Sequence, residues 1–206
     1  MEVLLLNGSP HDKGCTYTAL SIVAEQLEKN GIAANIVHMG NKAVHGCIAC
    51  GKCAETGLCI FKDDPVNECV ELLKKADGLV VGSPVYYASA NGSICAFLDR
   101  LFFLKSRHYR LKPAAAVVSC RRGGASAAFD RLNKYFTISQ MPVVSSQYWN
   151  AVHGNTPDEV RQDAEGMQIM RTLGRNMAWL LKCIEAGKGA VPYPEEEEWI
   201  ATNFVR

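Results

Sequence analysis

No stretch of this sequence is apolar for long. The first apolar run, Val3 to Leu6, stops at Asn7-Gly8-Ser9. It is too short for a signal-peptide core and far too short for a membrane span, so it reads as a buried strand and the expected location is cytoplasmic. Charge of one sign is also missing. The 22 Lys and Arg nearly balance the 21 Asp and Glu, with no basic block, which argues against a nucleic acid or a membrane surface as the main partner.

Familiar phosphate fingerprints are absent as well. There is no G-x-G-x-x-G, and the expected second strand ends His38-Met39-Gly40 without an acid for a ribose, which excludes a dinucleotide held in the usual Rossmann manner. There is no G-x-x-x-x-G-K-[ST], so P-loop chemistry is excluded. A phosphatase with a loop cysteine would want Arg where Ser21 follows Cys15.

What is present is a regular alternation of strands and helices. Strands are expected at Glu2–Leu6, Ala33–His38, Gly78–Val81, Ala114–Val118 and Val143–Ser145. Helices are expected at Cys15–Asn30, from Asp64-Pro65 to Lys75, and over Ser93–Leu104 and Ala125–Ile138. A last long helix opens at the capping box Thr156–Glu159 and runs to Ile184. Five short, continuously apolar strands separated by helices imply a parallel sheet covered on both faces. The expected fold class is α/β, a three-layer sandwich with strand order 2-1-3-4-5, in one domain over residues 1–206. A cysteine-rich loop at 40–63 and an acidic tail at Glu195–Glu198 complete it.

In such a sheet, ligands bind beyond the carboxyl ends of the strands where the order reverses. Three loops should meet there. The first, Asn7 to Thr16, is small and hydroxyl-rich and leads into a helix, a natural anion cradle to which Ser9 and Thr16 add donors; the same residues also make a plain turn. The third-strand loop, Gly82 to Gly92, includes Pro84, Val85, Tyr86 and Tyr87 and suits a flat heterocycle. The fourth-strand loop, Cys120-Arg121-Arg122-Gly123-Gly124, adds positive charge and close backbone approach.

The nine cysteines are odd in number, and without a secretory signal they read as thiols, metal ligands or redox groups. Cys15, Cys69, Cys95, Cys120 and Cys183 are scattered, as small core residues often are. The others form Cys47-x2-Cys50-x2-Cys53-x5-Cys59. Three thiols at two-residue intervals with a fourth nearby suit four-thiolate ligation of a cluster, whereas structural zinc favours two separated C-x2-C pairs. Four reduced thiols in a structured, subunit-contacting loop fit the same residues.

Ser9 to Thr16, Gly82 to Tyr87 and Asp99-Arg100 together resemble the flavodoxin-like NAD(P)H-dependent FMN reductase family. The cysteine loop with Asp63-Asp64 resembles its iron-sulfur flavoprotein branch. The resemblance covers most of residues 1 to 150 and implies a flavodoxin-like fold that binds FMN. Ser9, His11, Cys15 and Thr16 would surround the phosphate, Pro84 to Tyr87 would line the ring, and Arg121, Arg122, Gly123 and Gly124 would lie at its pyrimidine edge. Cys47, Cys50, Cys53 and Cys59 would hold a [4Fe-4S] cluster. Two departures stand out: the family often has Arg where His11 stands, and Asn or Ser near Cys15. The implied function is an oxidoreductase taking electrons from NAD(P)H and passing them to a quinone, flavin, nitro or azo compound or a protein acceptor. The chemistry would sit at flavin N5, with no dedicated acid–base residue. A one-electron relay fed by a ferredoxin-like donor and a redox sensor using the cysteine loop are the alternatives. A homodimer or dimer of dimers is expected, with the cysteine loop and the Trp199-bearing tail available to a partner. Trp149, Asn150 and His153 are placed where they would border the ring or pack in the core.

Overall fold

The computed structural model describes residues 1–198, 200 and 202; Trp199 lies outside the described residues. Its strands are β1 (Glu2–Asn7), β2 (Ala33–His38), β3 (Gly78–Tyr86), β4 (Ser89–Ala90), β5 (Ala114–Cys120) and β6 (Ala151–His153). The helices are α1 (Cys15–Lys29), α2 (Lys52–Thr56), α3 (Val66–Lys75), α4 (Gly92–Lys105), α5 (Ala125–Ile138), α6 (Pro157–Gln162) and α7 (Ala164–Gly187).

The main ladder runs β2-β1-β3-β5-β6, all parallel. Strand side chains alternate between faces, so each strand feeds two cores. Leu4, Leu6, Leu79, Val81, Ala114, Ala116 and Val118 face the layer formed by α3, α4 and α5. Val3, Leu5, Val80, Ala115 and Val117 face α1 and α7. This is the expected three-layer sandwich, and the sheet order reverses between β1 and β3 as expected. Among the described residues no helix is long and apolar enough to cross a membrane.

Four local features differ from the sequence expectation. The sequence puts the fifth strand at Val143–Ser145. That segment makes only a bridge to Ala114, and the edge ladder is built by β6. The polar segment after Val144 leaves the sheet and returns at Asn150, whose carbonyl accepts from Val118 N–H at 3.0 Å; an edge strand tolerates such an excursion because only one side must pair. β3 continues past Pro84 to Tyr86 and folds back through β4, a short antiparallel hairpin. The cysteine loop contains the single-turn helix α2. The last helix is broken at Asp163. Its side chain caps α7 by accepting from Gly166 N–H at 2.9 Å and accepts from His153 N–H at 2.7 Å. Local side-chain bonding of this kind competes with continued helix. The Thr156 cap is present, with Glu159 N–H donating to its Oγ1 at 3.2 Å.

Candidate functional site

The ends of β1 and β3 touch. Gly8 N–H donates to Gly82 C=O at 2.9 Å. A Cβ on Gly8 would stand 2.8 Å from that oxygen and from Ile94, and one on Gly82 would stand 2.8 Å from Thr16 and Leu20. Both positions are held open by close approach of the backbone. The contact is locked by residues the sequence reasoning passed over. Asn91 Nδ2 donates to Gly8 C=O at 3.0 Å, its Oδ1 accepts from Ile94 N–H at 2.9 Å, and its own N–H donates to Ser83 Oγ at 3.0 Å. Asn91 therefore caps α4 and ties the first loop to the third. Its position three residues before Ile94 at a helix start was the available signal.

The first loop is ordered by its own side chains. Ser9 is buried; its N–H donates to Asn7 Oδ1 at 3.2 Å, and its Oγ accepts from His11 N–H at 3.1 Å, leaving the hydroxyl hydrogen to donate. His38, at the end of β2, lies with Nε2 2.9 Å from Ser9 C=O and Nδ1 3.6 Å from Asp12. α1 begins at Gly14 with no side-chain cap and no acid in its first turn. Its leading N–H groups and dipole therefore face an open position suited to an anion. The Thr16 hydroxyl is buried and shares a 2.8 Å hydrogen bond with Ser119 Oγ at the end of β5, which links the first loop to the fourth. Burial pushes the Cys15 thiol above its ordinary value, and its Sγ lies 3.9 Å from Gly154 C=O. It is a neutral lining group.

The third and fourth loops also meet. Tyr87 and Ala88 form the two-residue turn between β3 and β4 at φ of 49° and 58°. Tight hairpins favour this left-handed pair but usually fill it with Gly or Asn. Tyr86 is about half exposed and Tyr87 fully exposed. Gly124, at φ +89°, presses on this turn: a Cβ there would stand 2.6 Å from Ala88 Cα and 2.9 Å from Val85. Pro84 to Tyr87 and Arg121 to Gly124 are thus neighbours, with Arg121, Arg122 and Gly123 at the surface. A cavity of about 290 Å³ follows on the β6 side, lined among others by Arg122, Phe129, Tyr148, Trp149, His153 and Asp163. Tyr148 and Trp149 are tilted against each other at 4.8 Å, and Asn150 is buried.

Cys47, Cys50, Cys53 and Cys59 all line one separate surface cavity, with Ile48, Ile60, Phe61, Arg100 and Phe103. Cys47 and Cys50 are exposed, and Cys53 and Cys59 partly buried. Among the described residues, no three His, Cys, Asp or Glu converge on a single-ion position. The loop is anchored at its Cys59 end. Asn67 of α3 accepts from Cys59 N–H at 2.7 Å and donates to the carbonyls of Cys59 and Phe61 at 3.0 and 3.1 Å. Arg100 of α4, 2% exposed, pairs with the Asp64 carboxylate and donates from Nε to Cys59 Sγ at 3.2 Å. Burial alone would lower this guanidinium, but Asp64 and Cys59 more than reverse it and hold it above its ordinary value.

The chain's tail lies elsewhere. Arg110 donates to Glu196 and to Pro194 C=O, both at 3.1 Å. Residues 187–194 border a cavity with Met1, Asp77 and Pro113 at the amino ends of the strands, opposite the loops just described.

Comparison with known proteins gives the family and the fold. Residues 1–156 match the family described as NADPH-dependent FMN reductase. An iron-sulfur flavoprotein of Methanocaldococcus jannaschii is 29% identical over 193 residues, covering 90% of this chain and all of that one. One from Archaeoglobus fulgidus is 33% identical over 175 residues, covering 83% and 86%. Among solved structures, an archaeal flavodoxin superposes with a TM-score of 0.60 at 15% identity, covering 88% of this chain and 99% of its own. The fold is flavodoxin-like, and the chain belongs to the NADPH-dependent FMN reductase family of flavin-dependent oxidoreductases, within its iron-sulfur flavoprotein branch.

Proposed function

We propose that the protein binds FMN in the crevice formed by its first, third and fourth loops. Electrons would come from NAD(P)H and go to a small-molecule or protein acceptor. One observation carries this reading: the uncapped start of α1 lies beside the buried Ser9 hydroxyl, and the adjoining Gly8 is tied through Asn91 to the loop that bears Pro84 to Tyr87. This arrangement suits one monophosphate joined to one flat ring. FMN, when bound, supplies two-electron and one-electron chemistry at its ring. The chain's own residues bind and orient it. The first-turn N–H groups with Ser9 hold the phosphate, and the Pro84–Tyr87 segment forms one wall. Gly124 allows the fourth loop to approach, and Arg121 and Arg122 bring positive charge, which favours a reduced, anionic ring. His11 leaves the phosphate site less positive than an Arg would.

The cysteine loop supports an added one-electron branch. Its donor set is four thiols around one cavity, with a buried guanidinium aimed at one sulfur. Four thiols lining one cavity suit a [4Fe-4S] cluster, which takes one thiolate per iron. Cys47, Cys50, Cys53 and Cys59 would hold the cluster, which would exchange single electrons with a protein carrier. The assembly proposed is a homodimer or dimer of dimers in the cytoplasm, without nucleic acid or membrane as partner. The exposed Ile48, Leu58, Ile60, Phe103 and Tyr87 offer apolar surface to a second copy.

An absorption spectrum of anaerobically purified protein, followed by chromatography of the released flavin, tests the cofactors together. FMN with broad visible cluster absorption is expected, and a dominant FAD peak would refute the crevice reading. Steady-state NADH and NADPH oxidation with excess acceptor tests the donor. Light scattering that shows a fully active monomer would remove the dimer.

A further inference from the structure

We infer that Arg100 sets the reduction potential of the group bound at the cysteine loop, acting through Cys59; this rests on the cluster reading above. The four thiols are not equivalent. Of these four, all among the described residues, only Cys59 receives a side-chain hydrogen bond at its sulfur, from Arg100 Nε at 3.2 Å. The same guanidinium donates to the Asp64 carboxylate and to His45 C=O at 3.2 Å, reaches Phe61 C=O at 3.5 Å, and lies 5.1 Å from the Phe61 ring centroid. Arg100 is 2% exposed and the Asp64 side chain 1%, so the donor is held from the buried side of the partly exposed Cys59.

A charge-assisted N–H donor on a thiolate ligand withdraws electron density from it. It stabilises the reduced, more negative state of the cluster and so raises the potential. Asp64 offsets most of the net charge of Arg100, which leaves the directed hydrogen bond as the main influence. Only a planar fork can serve the sulfur from Nε while serving the carboxylate from Nη1; a lysine ammonium offers one compact head. The donor is also rigidly mounted. Arg100 sits on α4, whose start is locked to the crevice by Asn91, about 14 Å away along the helix axis at ~1.5 Å per residue. Arg100 is thus a positioning residue, distinct from the ligands.

The test compares wild type, Arg100→Lys and Asp64→Asn as full-length, anaerobically reconstituted proteins. Iron and sulfide content are measured, the cluster is titrated under EPR, and pulsed EPR follows the exchangeable proton nearest it. Arg100→Lys is expected to keep its iron, lower the cluster potential and lose that proton coupling, with the flavin potential unmoved. Asp64→Asn is expected to keep the coupling and raise the potential, because a buried negative charge is removed. Loss of iron in Arg100→Lys alone overturns the inference, because Arg100 is then an anchor needed to retain the iron and sets no potential. An unmoved potential in iron-loaded Arg100→Lys overturns it. Equal loss of iron in both variants also overturns it, by making the pair a fold-holding contact only. Wild-type protein that takes up no iron removes the cluster reading itself, and this inference with it, a result separable from an unmoved potential.

Discussion

The crevice and the cysteine loop are neighbours along α4, yet they are built in opposite ways. The crevice is made of strand ends. Its loops are short, its anchors are backbone groups and small buried side chains, and Gly8, Gly82 and Gly124 stand where a Cβ would strike a neighbouring element. The cysteine loop has one turn of helix and is held mainly by Asn67, Asp64 and Arg100 at its Cys59 end. Cys47 and Cys50, at the other end, are exposed. A site assembled from strand ends is preorganised by the sheet. A site assembled from a loop depends on a few side chains and on what the loop binds.

Replacing any one of Cys47, Cys50, Cys53 or Cys59 by Ala should produce the largest change. Iron and broad visible absorption should be lost while FMN stays, because the crevice shares no anchor with the cysteines themselves. Loss of FMN as well would break the comparison. Unchanged iron and spectrum would reduce the loop to a structural or interface element.

Asn91→Ala strikes the crevice instead. It removes two side-chain hydrogen bonds from a buried position, leaves the backbone N–H bond to Ser83 Oγ in place, and should destabilise the protein by roughly 2–3 kcal/mol in urea melts, since buried partners are left unpaired. FMN affinity should fall with it. If stability is unchanged, the first and third loops are held by the sheet alone.

Ser9→Ala is narrower. Stability should change little, while FMN affinity should weaken by about 1.5–3 kcal/mol, the usual worth of a hydrogen bond to a charged group. Titration of apoprotein with FMN would measure it, and an undiminished affinity would move the phosphate away from Ser9.

The smallest effect is a gain. Ala88→Gly relieves a left-handed residue in the hairpin turn and should stabilise by about 1 kcal/mol. Thermal denaturation should show a rise of roughly 2–4 °C for a chain of this size. A fall in Tm would mean that the Ala88 contact with Gly124 outweighs the backbone strain.

Much of this was legible beforehand. The apolar runs located β1, β3 and β5 because a strand buried on both faces must be apolar throughout, the Ala33–His38 run located the partly buried edge strand β2, and the Thr156 cap announced α6. The edge strand was not legible: Val143–Ser145 is as apolar as β6, and an edge strand can leave its ladder and return at low cost. The hairpin after Pro84 was hidden because Tyr87 and Ala88 occupy turn positions where Gly or Asn would have signalled them. At the site, the loops were found from their composition, but Asn91, Ser83 and Ser119 were not. Short polar residues near strand ends are common, and only contact across loops distinguishes these.

By itself, then, the sequence determined the layered α/β fold, the three loops at the carboxyl ends and the spacing of four thiols. All of these are written in local pattern: apolar period, turn residues and cysteine intervals. The tertiary structure alone decided which side chains bind the loops together, that the tail sits at the opposite end of the sheet, and that a single arginine reaches a single cysteine sulfur. Those depend on residues far apart in the chain, such as Asn91 with Gly8, Arg110 with Glu196 and Arg100 with Cys59. Local pattern carries no information about them until hydrophobic burial has closed the two cores around the sheet.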